Sequence, residues 1–188
     1  MAVLVEALSI VVRRAAISKH YSGGWHQFLD DVPNGTLCYD DELARVGFMT
    51  PPDVGNFIAH LESEGLQFVS DGRFQDCAVV DQVNGPTMPV DWLEFAKLPI
   101  DESGTKVSAC WLFEGPRVAA GVHMPSKELS LATPIGWTYD GSLSAEFQFV
   151  SNEDMGDKLR FLRREAGKDV YLDLSTGREA FVSRTTEA

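Results

Sequence analysis

The sequence predicts an α+β protein, on three observations. Two segments, 23–32 and 51–64, repeat apolar residues at helical spacing and are closed by proline or glycine. Short runs rich in valine, isoleucine and leucine lie before, between and after them, with the alternation of half-buried strands. Beyond residue 84 only strand-like runs and turns follow, with no convincing long helix.

The first strand is expected within residues 4–12, where Leu8, Ile10 and Val12 share one face. In "YSGGWHQFLDDV", Trp25, Phe28, Leu29 and Val32 recur at i, i+3, i+4 and i+7. Ser22 is placed to cap this helix, and Pro33-Asn34-Gly35 to stop it. Gly23 and Gly24 then fill its first turn, which lets Trp25 fold back on the core. A phosphate cradle needs a longer glycine loop with a lysine, and none is present. "TLCYDDELARVGFM" breaks at Asp40-Asp41 into two strands, with Ala44, Val46 and Phe48 alternating in the second.

"TPPDVGNFIAHLESEGL" carries the strongest helix signal. Thr50 caps it, Pro51 takes the first helical position, and Asp53 stands three residues after the cap. Val54, Phe57, Ile58 and Leu61 form its apolar stripe, and Gly65 supplies a left-handed exit. "QDCAVVDQ" adds the fourth strand.

The order β-α-β-β-α-β over residues 3–82 resembles the ferredoxin-like split βαβ arrangement. The resemblance implies two helices on one face of a sheet, with strands 8–12 and 43–48 at its centre. It implies no activity, because that arrangement hosts many. The uncovered sheet face needs a partner layer, and the β-rich half is expected to supply it. Two units follow, 1–84 and 85–188, packed as one body. After the turn "VNGPTMP", the second unit has strand-like runs at 90–98, 106–113 and 118–122, and an alternating "SLSAEFQFV". "NEDMGDKL" has room for a turn or two of helix, and "KLRFLRRE", "DVYLDL" and "EAFVSR" then read as an antiparallel meander.

Charge narrows the function classes. The span 30–102 holds fifteen acidic residues against three basic ones, so the whole formal charge of −12 resides there. Nucleic-acid binding needs the opposite sign. The apolar start ends at Arg13, too short to cross a bilayer, so a cytoplasmic chain without membrane contact is expected. Cys38, Cys77 and Cys110, odd in number and widely spaced, fit buried free thiols better than disulfides or zinc ligands.

The chain lacks HExxH, CxxC, a strand-linked GxGxxG and a GxSxG elbow, so no catalytic residue, cofactor or metal is assigned. His60 reads as a solvated i, i+4 neighbour of Asn56 and Glu64, and His123 as isolated. The sharpest candidate is the acidic hairpin Asp40, Asp41 and Glu42, joined by Asp30 and Asp31. Turn chemistry accounts for Asp-Asp at a hairpin tip, and an acidic docking surface or, third, a divalent-cation site built of hard oxygens are the functional alternatives. Trp92, Trp111 and Trp137, with the paired Arg163 and Arg164, are candidates for a pocket between the halves, although core packing is the ordinary role of tryptophan.

The expected function is a non-enzymatic acidic interaction protein, of inhibitor, antitoxin or immunity type, that docks a basic protein. The alternative is a small-molecule binder or enzyme with a pocket between the halves.

Overall fold

The computed structural model describes residues 1–101, 104–113, 130–142, 159–165, 168–173 and 179–183 of the chain. The strand expected at 118–122, the run 143–150, residues 152–158, His123 and the turns at 166–167 and 175–177 lie outside the described residues.

In chain order the elements are β1 (Ala2–Val5), β2 (Leu8–Arg13), α1 (Arg14–His20), α2 (Gly24–Asp31), β3 (Cys38–Tyr39), β4 (Leu43–Phe48) and α3 (Pro51–Ser63). A small hairpin, β5 (Val69–Ser70) with β6 (Arg73–Phe74), precedes β7 (Cys77–Asp81) and β8 (Gly85–Pro86). Then come β9 (Leu93–Pro99), β10 (Lys106–Leu112), β11 (Leu131–Ala132) and a 3-10 turn at Tyr139–Gly141. The last described strands are β12 (Leu159–Glu165), β13 (Lys168–Asp173) and β14 (Glu179–Ser183), which form an antiparallel meander. The class is mixed α and β, as the periodicities predict.

The first sheet has the order β3-β4-β2-β7-β8, with every neighbour antiparallel. Its central register pairs Leu8 with Phe48, Ile10 with Val46 and Val12 with Ala44. The two alternating sets read from the sequence therefore share one face. That face meets α3, because the Phe48 ring lies 5.5 Å from the ring of Phe57. In α3 the Thr50 hydroxyl accepts from the Asp53 backbone N–H, and Val54, Phe57, Ile58 and Leu61 are buried. The helix leaves through Gly65 at φ 105°, where a Cβ would lie 2.5 Å from the His20 carbonyl oxygen. No side chain fits there.

The opposite face carries Arg45, Ser9 and Cys38, and β1 runs against it. The Cys38 thiol lies 3.9 Å from the Leu4 carbonyl, and β1 contacts both β3 and β4. β1 is also an inner strand of the second sheet, β11-β1-β10-β9. β1 pairs with β10, and β8 extends the first sheet past β7. One core cluster spans Val3, Ile10, Phe57, Val80 and Cys110, while Ala2, Leu98, Ala109 and Trp111 form a smaller one.

Three local expectations are corrected. Residues 4–12 form two strands in different sheets, because Ala7 takes φ 48° and breaks the run. Ala7 is held there by the Gln82 side chain, 2.7 Å from its N–H, while Ser9 and Glu6 bond to each other across the bend. Residues 14–20, unassigned from the sequence, form α1 and bury Ala16 and Ile17. Ser22 does not cap α2. Gly23 holds that position at φ 73°, and the Ser22 N–H is engaged by the Glu64 carbonyl at 2.9 Å.

All three cysteines are free and buried. Burial raises each thiol, that of Cys77 to about 12, so the reactive thiolate is suppressed. No helix among the described residues is long and apolar enough to cross a membrane.

Candidate functional site

A groove of about 700 Å³ opens between α3 and the segment that leaves α2. Helical spacing brings Asp53, Asn56, Phe57 and His60 to the same wall of α3. Phe57 and Phe48 are buried beneath it, and the His60 ring stacks on Phe57 with centroids 6.2 Å apart. The facing wall is Asp31, Pro33, Asn34 and Thr36. This wall is fixed to β4: the Asn34 amide donates to the Gly47 carbonyl at 2.9 Å, and the Gly47 N–H donates to the Thr36 hydroxyl at 2.7 Å.

At one end three polar side chains meet. The Tyr21 hydroxyl donates to Asp31 Oδ2 at 2.8 Å. His60 Nε2 lies 3.2 Å from the Tyr21 oxygen and 3.4 Å from Asp31 Oδ2. Gln27 donates to the other Asp31 oxygen at 2.8 Å. The Tyr21 hydrogen bond is the main influence on Asp31 and holds its carboxyl below the usual range, against the opposing effect of burial. Burial, followed by Asp31, pushes the Tyr21 phenol upward. In the Tyr21–Asp31 pair the carboxylate carries the charge, and the phenol keeps its proton to donate.

A carboxyl held lower in the folded chain than in the unfolded one adds stability above its unfolded value. That stability disappears as pH falls through the folded value. Melting temperature should therefore decline less steeply on the acid side in Asp31→Asn than in the parent. Parallel declines in the two proteins would show that Asp31 gains nothing on folding.

The structure separates the acids grouped from the sequence. Asp31 lines the groove, and Asp30 beside it is exposed. Asp40 is a correction: it is buried, and its Oδ1 accepts the N–H groups of Glu42 at 2.8 Å and Leu43 at 2.7 Å. It caps the hairpin turn and offers no docking surface. Asp41 and Glu42 are exposed, but the Arg14 guanidinium lies 4.0 Å from Asp41. Arg14 also donates to the Asp40 carbonyl and stacks 4.1 Å from the Trp25 ring.

The tryptophans proposed for a pocket serve different places. Trp111 belongs to the smaller core cluster, whereas Trp92 and Trp137 pack on the larger one. Trp92 donates to the Phe74 carbonyl at 3.3 Å, and Trp137 to Glu6 at 3.0 Å. None of the three lines the groove. Arg163 and Arg164 lie on β12, opposite Val170 and Asp169.

His60 is the residue that sequence reasoning missed. It is not merely a solvated neighbour of Asn56 and Glu64, since it joins Tyr21 and Asp31 across the groove. No spacing rule links positions 39 residues apart. Among the described residues, no group of three or more His, Cys, Asp or Glu side chains is placed to hold a metal ion. No protein-family model matches the chain, no curated protein matches its sequence, and no solved structure matches its fold.

Proposed function

We propose that the chain is a non-enzymatic, acidic binding protein of the cytoplasm that docks a basic protein partner, with the groove at the centre of the docking face. One observation carries this reading. The groove presents two carboxylates, Asp31 and Asp53, and no lysine or arginine among the described residues that line it. It lies within the span that holds the whole net charge of −12, and Asp30, next to Asp31 in the chain, is an exposed carboxylate. Such a field steers a cationic partner and favours its encounter. The first half reads as a ferredoxin-like split βαβ unit, supported by the run β3-β4-β2-β7 and by helical connections after β2 and β4.

A second reading, a small-molecule site, is favoured by the groove's volume of about 700 Å³, ordinary for such pockets. The residues that line this groove run from Asp31 to His60.

The test is a kinetic series at several ionic strengths, using the basic partner recovered from native lysate. Association should slow steeply with salt. Replacing Asp30, Asp31 and Asp53 together by asparagine should slow association and flatten that dependence. Asp41→Asn with Glu42→Gln should change it less, because Arg14 already stands against that hairpin. An unchanged on-rate in the triple variant would move docking away from the groove. Binding indifferent to salt would remove the electrostatic reading altogether.

A further inference from the structure

We propose that the groove receives one cationic side chain, an ammonium or guanidinium on an apolar stem, presented by the basic partner. The proposal rests on the docking reading above and names what enters the groove. The base is apolar: the Phe48 and Phe57 rings lie side by side, with Met49 exposed at the rim. The charge is placed at two separated points. Asp31 stands beside His60, and Asp53 lies seven residues earlier on α3, about 10 Å along the helix axis. Asn56 lies between Asp53 and His60 on the α3 wall and adds an amide group, whereas the Asn34 amide oxygen already accepts from the Thr36 N–H at 3.0 Å and hydroxyl at 2.6 Å.

These features select a cation by exclusion as well as by attraction. An anion would meet two carboxylates and no lining lysine or arginine among the described residues. A wholly apolar ligand would strip water from Asp31 and Asp53 without replacing its hydrogen bonds, which is costly. A lysine or arginine avoids both penalties. Its methylenes cover the phenylalanine rings while its head reaches a carboxylate.

The experiment follows the amide and imidazole NMR signals of Asn34, Asn56 and His60 in the full chain as matched probes are added. Butylammonium and butylguanidinium should cause saturable shifts. Butanol and butyrate should leave the signals in place. Asp31→Asn should weaken the cations about tenfold, the size of one lost charge-assisted hydrogen bond. Because the probe series uses the unaltered protein, the result does not depend on how well the variant folds. Equal shifts from butanol or butyrate would overturn the proposal.

An acetylated Ala-Lys-Ala peptide should compete with butylammonium for the same signals. A groove that admits the free amine but excludes the peptide would overturn the side-chain assignment in favour of a small organic cation. The two readings also fail separately. Cations filling the groove while the partner's association ignores salt would sink the docking reading. A partner that docks through charge while no cation enters the groove would sink only this proposal.

Discussion

Glu6→Ala should destabilise the fold by about 3–5 kcal/mol, the cost of leaving a buried charge without its counter-charge. The charge is that of Arg45, whose side chain is fully buried between β1 and the first sheet, with Glu6 almost equally buried beside it. Arg45 Nε donates to the Ser9 hydroxyl at 2.9 Å and Nη1 to the Thr36 carbonyl at 3.0 Å. The Glu6 carboxylate, 3.6 Å from Nη2, supplies the opposing charge. Burial lowers the pKa of the guanidinium, yet arginine keeps its proton in proteins, so the charge persists when the carboxylate is removed. The other Glu6 oxygen accepts from Trp137, so the substitution also removes that hydrogen bond.

Urea unfolding distinguishes orphaned charge from lost packing. Glu6→Leu combined with Arg45→Met removes both charges and should lie far closer to the parent than Glu6→Ala does. Equal destabilisation of the single and double variants would mean that shape, not charge, holds this site together. Thr36 and Gly47 also line the groove, so the Arg45 network sets the position of one groove wall as well as the packing of two sheets.

What was legible in the sequence was local. The cap, stripe and exit of α3 all lie within residues 50–65, and each is a property of neighbours along the chain. The alternation of β2 and β4 was legible for the same reason, since a pleat repeats every second residue. The bend at Ala7 was not, because it is fixed by Gln82, 75 residues away. The apolar run around it gave no sign of two strands beyond the single charge of Glu6. Asp40 and Asp41 were equivalent as letters, but one turns inward to cap while its neighbour faces water. The groove combined both cases. Its α3 wall follows from helical spacing, whereas the meeting of Tyr21, Asp31 and His60 depends on how α2 is laid against α3.

Phe28 decides that placement, and Phe28→Ala should cost about 3–5 kcal/mol. The helix it belongs to is weak by itself. α2 has eight residues, begins at two glycines with φ of 73° and 66°, and has no side-chain cap. A helix this short is marginal in water and depends on burying its apolar face. Phe28 is completely buried and meets Tyr21 edge-on at 5.6 Å and Trp25 stacked at 5.4 Å. Neither neighbour is free to fill the gap, because Trp25 is held under Arg14 and Tyr21 is tied to Asp31 and His60. A cavity that cannot collapse puts the cost toward the upper part of the range. Loss of this anchor should also loosen Asp31 from His60, shifting the His60 NMR signals before global unfolding. Phe28→Leu should recover most of the stability, since it restores buried apolar volume without the ring. A loss below about 1.5 kcal/mol, less than the usual cost of emptying a buried aromatic site, would show that the aromatic cluster closes around the gap and that α2 is held by other contacts.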